Sequence, residues 1–119
     1  MTYNVQRATH TLDATGKQLG RLASQIATLL TGKGKRTYRA EHDQGDYVVV
    51  QNIKSARFSG RKMDQKIAYH FSGYPGGLKE TKWGTLFLKN PRKILHDAVA
   101  RMLPKNRLQS ERLNRLKIE

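Results

Sequence analysis

The sequence predicts a layered α/β domain, on three observations. The run Asp46-Tyr47-Val48-Val49-Val50-Gln51-Asn52 is β-branched and does not alternate, the pattern of a strand buried on both faces. Leu19, Leu22, Ala23, Ile26, Ala27 and Leu30 recur with the period of an amphipathic helix. A second such face, Ile94, Leu95, Ala98, Val99 and Met102, follows Asn90-Pro91. At 119 residues the chain is predicted to be one domain, with residues 1–8 as a lead and residues 104–119 as a basic C-terminal extension.

The elements follow in order. Residues 9–14 read as a short strand turning at Thr15-Gly16, and the first helix comes next, with Gly32 as its stop. Lys33 to Arg39 reads as a loop or extended segment, and Glu41, Asp43 and Asp46 form a small acidic island before the Val-rich strand. Residues 56–59 form a further short strand ending at Gly60, and Lys66 to Phe71 alternates as another. Ser72 to Gly77 is a glycine-proline loop carrying an exposed Tyr74, while Tyr47 and Phe71 are assigned to the core. Residues 79–88 are expected to be partly helical. Asn90 as N-cap and Pro91 at the first helical position open the next helix, and Pro104 closes it.

Charge is the second signal. Twenty-three Lys and Arg face nine Asp and Glu, a formal net charge of +14. Residues 1–32 hold only Arg7, Lys17 and Arg21 against Asp13, so nearly all of the excess lies beyond the first helix. A folded chain with that much like charge repels itself, and a polyanion relieves the repulsion. Apolar residues make up 37% of the chain, which predicts a modest core and segments that order on a partner. There is no cysteine, hence no disulfide and no thiolate-held metal. The first ten residues lack the apolar stretch of a signal peptide, and no run reaches the roughly twenty apolar residues of a membrane span. No membrane partner is expected.

The enzymatic motifs in the chain are incomplete or in the wrong context. Thr15-Gly16-Lys17 would need a glycine at position 11, where Thr11 stands, and a hydroxyl residue where Gln18 stands, to act as a phosphate loop. Gly32-Lys33-Gly34 follows a helix instead of opening one, the wrong context for a dinucleotide site. His10, His42, His70 and His96 show no ligand spacing, so no metal, no cofactor and no small-molecule substrate is expected. Asp13, Asp43 and Asp46 are the only acids an enzymatic reading could use; that reading requires them to converge.

Cations interleaved with aromatics point to RNA. Lys33, Lys35, Arg36 and Arg39 surround Tyr38; Arg57, Arg61, Lys62 and Lys66 precede Tyr69; Lys79 and Lys82 flank the stretch from Tyr74 to Trp83. Cations contact phosphates, and rings stack on unpaired bases. The cations lie on connections, not on one recognition helix, which favours a folded RNA over DNA. The RNA-binding set is therefore Lys33, Lys35, Arg36, Arg39, Arg57, Arg61, Lys62, Lys66, His70, Tyr74, Lys79, Lys105, Asn106, Arg107 and Arg112.

Particular words in the chain then carry a resemblance. Asp13-Ala14-Thr15-Gly16-Lys17 with Leu19-Gly20-Arg21-Leu22-Ala23, then Gly32-Lys33, Gly45-Asp46-Tyr47-Val48-Val49-Val50, Gly76-Gly77, and Arg101-Met102-Leu103-Pro104-Lys105-Asn106 stand in order. Together they resemble the bacterial large-subunit ribosomal protein L13 family from about Leu12 to Lys117. The chain departs from the family pattern at Glu41, Phe71-Ser72 and Gln109-Ser110. The resemblance implies a three-layer α/β/α fold with a mainly parallel four-stranded central sheet, plus basic loops and the C-terminal extension. It implies a structural, non-enzymatic role: binding large-subunit ribosomal RNA beside neighbouring ribosomal proteins, supporting subunit assembly, ribosome-bound in the cytoplasm. The alternatives are a free RNA- or DNA-binding repressor, or a nucleic-acid enzyme.

Overall fold

Three parallel strands, β1 (Thr9–Asp13), β2 (Tyr47–Gln51) and β5 (Leu116–Ile118), lie side by side in the order β1-β2-β5 in a computed structural model that describes residues 6–58 and 65–119. Thr9 stands opposite Tyr47 and Asp13 opposite Gln51; on the other side of β2, Val48 stands opposite Leu116 and Val50 opposite Ile118. A separate antiparallel hairpin pairs β3 (Ile67–Phe71) with β4 (Leu78–Lys82). The described residues also hold four α-helices: α1 (Leu19–Thr31), α2 (Trp83–Lys89), α3 (Pro91–Met102) and α4 (Leu108–Asn114). The architecture is mixed α/β around a parallel sheet.

The local rules account for most elements. All six apolar residues of the α1 stripe are buried. The helix stops because Gly32 takes a left-handed conformation, φ 80°, and its N–H bonds the Thr28 carbonyl at 3.1 Å. Asn90 caps α3 by accepting from the Lys93 N–H at 3.3 Å, with Pro91 next to it at the first helical position. The core forms where α1 packs on β2 and α3: Leu22, Ile26 and Leu30 with Val48, Val50, Leu95 and Val99. Each such side chain contributes roughly 1.5–3 kcal/mol by leaving water. Trp83 joins this core through Phe58, which meets the rings of both Trp83 and Phe87 edge-on.

Several expectations are corrected. β2 is buried on one face only: Val48 and Val50 are fully buried, whereas Tyr47 is 47% exposed. The helices cover one side of the strand, and the other stays partly open. Phe71, assigned to the core, is 61% exposed on the hairpin. Residues 79–88 are partly helical, as expected, in α2; the remainder is β4, because Leu78–Lys82 finds a partner in β3. Residues 56–59 contribute a single parallel bridge, Arg57 with Gln18, among the described positions. The basic C-terminal extension, residues 104–119, carries two elements. It forms α4, packed on α1 and α3, and β5, which completes the sheet beside β2. No helix among the described residues is long and apolar enough to cross a membrane.

Candidate nucleic-acid interface

The geometry of the cations is set by the acids they meet. Asp43 and Asp46 are not a surface island; the structure makes them the centre of an internal ion-pair network. Arg115, a buried residue just before β5, pairs with the Asp43 carboxylate and donates to the carbonyls of Leu30 at 2.7 Å and Asp46 at 3.3 Å. Arg7 reaches the Asp43 carbonyl at 2.9 Å and also the carbonyl of Gly45. Asp46 takes the Lys35 ammonium at 2.7 Å, His10 Nε2 at 2.8 Å and the Ala8 N–H at 3.1 Å. Burial pushes the Asp46 carboxyl up; the Lys35, His10 and Ala8 bonds together outweigh it and hold the group at about 2, against an ordinary 3.8.

Two residues assigned to RNA are thereby turned inward. Arg112 is 1% exposed and lies 3.8 Å from Asp43, so it belongs to the interior and not to a phosphate-binding surface. Lys35 is largely covered, held by Asp46 and by the Gln6 carbonyl at 2.8 Å. In both cases an aspartate just before β2 captures the cation.

The other described members of the set are on the surface. Lys33, Arg36 and Arg39 are exposed on the turns that follow α1. Lys105, Asn106 and Arg107 are exposed in the corner between α3 and α4, where the Asn106 side chain braces the turn by accepting from the Leu108 N–H at 3.0 Å. The fold sets these segments side by side: Lys33 and Pro104 line one concavity of about 230 Å³, and Ala40 shares another of about 380 Å³ with Asn106 and Arg107. The hairpin carries a further group. His70 stands opposite Lys79, and Tyr74, 76% exposed, sits at its tip. Lys66 is exposed with its ammonium 3.8 Å above the Trp83 ring. Arg57 is exposed beside α1. Arg61 and Lys62 lie outside the described residues.

Lys54, Lys89 and Arg92, outside the set expected from the sequence, form a further cationic group. They line an open groove of about 790 Å³ past the carboxyl end of β2, with Glu119 on its wall. Lys54 stands alone in its stretch of sequence, while Lys89 and Arg92 fall either side of the Asn90-Pro91 helix boundary, next to Lys93.

The acids do not assemble a catalytic pair. Asp13 accepts from the Thr15 N–H at 3.0 Å, the Thr15 hydroxyl at 2.8 Å and Asn52 at 3.2 Å. The Thr15 backbone bond foremost, then the Thr15 hydroxyl and Asn52, hold its carboxyl below the usual range. Asp13 caps a turn, while Asp43 and Asp46 are engaged by arginine and lysine.

A domain whose acids brace its interior while many of its described cations stay exposed on turns is of the class that presents a basic surface to a polyanion. The chain belongs to the ribosomal protein L13 family, whose family model matches residues 7–118. It is 52% identical over 114 residues to the large ribosomal subunit protein uL13 of Chloroflexus aggregans, an alignment covering 96% of this chain and 80% of that one. The uL13 proteins of Kocuria rhizophila and Clostridioides difficile are similar at 48% and 46% identity, covering 97% of this chain in each case and 78% and 80% of theirs.

Proposed function

We propose that this chain is a structural constituent of the large ribosomal subunit and that it binds large-subunit ribosomal RNA alongside neighbouring ribosomal proteins. Family membership carries the reading. The arrangement of charge supports it: an α/β core locked by Asp43 and Asp46 holds Lys33, Arg36, Arg39, Lys105, Asn106 and Arg107 on adjoining turns. Charges so held neutralise phosphates without first paying the ordering entropy of loose loops. The hairpin, through His70, Tyr74 and Lys79, and the exposed Arg57 and Lys66 extend the surface available to RNA. The protein's role is to shape RNA, not to catalyse a reaction, and its place is on the ribosome in a bacterial cytoplasm.

Residues 1–119 are taken as a single domain, in keeping with one hydrophobic core. The parallel bridge between Gln18 and Arg57 supports a fourth parallel strand starting near Ala56, in the four-stranded, three-layer arrangement. The decisive experiment is co-sedimentation. The purified chain is expected to be retained stoichiometrically on large ribosomal subunits through a high-salt wash. Recovery in the unbound fraction, with tight binding to an isolated messenger RNA or DNA, would replace this reading with that of a free repressor.

A further inference from the structure

Lys17 and Arg21 stand in the part of the sequence that carries little charge, yet the fold gives them a third cation. The Arg57 N–H donates to the Lys17 carbonyl at 3.1 Å, and the Leu19 N–H donates to the Arg57 carbonyl at 3.0 Å. This short parallel bridge clamps Arg57 against the start of α1. Lys17, Arg21 and Arg57, with Gln18 and Gln25, line one concavity of about 320 Å³.

The composition of that concavity is specific. No carboxylate among the described residues lines it. All three cations are exposed, and none makes an ion pair among the described residues. The acid that Lys17 acts on, Asp13, already accepts from Thr15 and Asn52. The contrast with Lys35, Arg112 and Arg115 is direct, since each of those meets an aspartate. Three like charges brought together by backbone hydrogen bonds repel one another, and an anion seated among them removes the repulsion. Gln18 and Gln25 add uncharged donors and acceptors, which suit the ribose hydroxyl that RNA presents next to each phosphate.

We infer that Lys17, Arg21 and Arg57 form a backbone-binding pocket for RNA, engaging consecutive phosphates of one strand at a place separate from the Lys33–Arg39 turns. The inference rests on the ribosomal-RNA reading above and adds to it a site and its ligand chemistry. It gives the first helix a part in binding as well as in the core: its buried stripe holds the sheet, and its exposed Arg21 faces the RNA.

The test compares the full chain with three double variants, using protein-free bacterial large-subunit ribosomal RNA and binding measured across a salt series. Lys17→Ala with Arg21→Ala is expected to lower the slope of log affinity against log salt by about two contacts' worth and to open one discrete patch of RNA to backbone cleavage. Its thermal midpoint should stay at that of the parent, since both side chains are exposed. Lys93→Ala with Arg101→Ala removes the same charge from the exposed face of α3, and its slope should move much less. Equal losses from both variants would reduce the pocket to general charge and overturn the proposal. Parental slope and footprint in the Lys17/Arg21 variant, while Arg36→Ala with Arg39→Ala weakens binding, would overturn it and leave the ribosomal reading standing. Failure of the parent chain to bind would remove both.

Discussion

Arg115 Nη2 donates to the carbonyl of Leu30 at 2.7 Å, tying the residue before the last strand to the last turn of the first helix. The same guanidinium holds the Asp43 carboxylate and the Asp46 carbonyl. One side chain therefore closes the sheet, the first helix and the approach to β2 around a single point. An arginine can do this because its planar fork presents several donors in fixed directions.

Arg115→Ala is expected to destabilise the fold by about 3 kcal/mol, the lower end for breaking a buried ion pair, because Arg7 and Arg112 each stay 3.8 Å from the Asp43 carboxylate. Arg115→Lys should recover only part of this, because one ammonium cannot reach three oxygens arranged around a fork. Urea denaturation of the RNA-free chain measures both. A variant within about 0.5 kcal/mol of the parent would mean that the network adds nothing to folding.

Gly45 makes the Arg115 contact possible. A Cβ at Gly45 would lie 1.6 Å from the Leu30 carbonyl oxygen and 2.7 Å from Arg115 Nη2, and the first of these is a backbone atom that a side-chain rotation cannot relieve. Gly45→Ala should cost at least about 3 kcal/mol, at the upper end for overpacking. Its thermal midpoint is the readout. Gly34→Ala, where nothing lies within 4 Å of the added carbon, serves as the mild comparison.

Acid should weaken the fold through Asp46. Its carboxyl sits at about 2 in the folded chain against 3.8 ordinarily, so folding favours the ionised form. That contribution is complete above about pH 4, declines as pH falls towards about 2, and is on the order of 2 kcal/mol at neutral pH. Asp46→Asn should be less stable than the parent at about pH 6, with the gap closing by about pH 2. Denaturation midpoints across that range would show it; a gap that holds constant with pH would contradict it.

Lys35 and Arg36 are neighbours in sequence with different expected phenotypes. Arg36→Ala should leave the melting temperature unchanged and lower the salt dependence of RNA binding by about one phosphate. Lys35→Ala should lower stability by removing the Asp46 partner, with a smaller effect on the salt slope. Parallel melting and binding measurements separate the two, and identical behaviour of the variants would refute the assignment.

What could be read from the sequence was what neighbouring residues decide among themselves. The stripe from Leu19 to Leu30, the stop at Gly32, the Asn90-Pro91 start and the strands around Val48 and His10 all follow from periodicity and from backbone rules acting over a few residues. The exposed cations of the 33–39 turns were legible as loop charge for the same reason. By contrast, β4 does not show within the partly helical 79–88 stretch, because a strand with mixed polarity declares itself only through the partner it pairs with. The strand at the end of the 104–119 segment is likewise not legible locally: the loosely spaced Leu116 and Ile118 gain meaning only beside Val48 and Val50.

The sequence alone determined the charge, the helical stripes and the family words. The tertiary structure decided which cations face outward. Arg107, Arg112 and Arg115 look alike in the chain, but Arg115 meets an aspartate 72 positions away and is buried, while Arg107 meets none among the described residues and stays on the surface. Burying an arginine is tolerable only where an opposite charge and hydrogen-bond acceptors await it. Those partners are brought by the packing of β5 beside β2, which no local pattern of residues encodes.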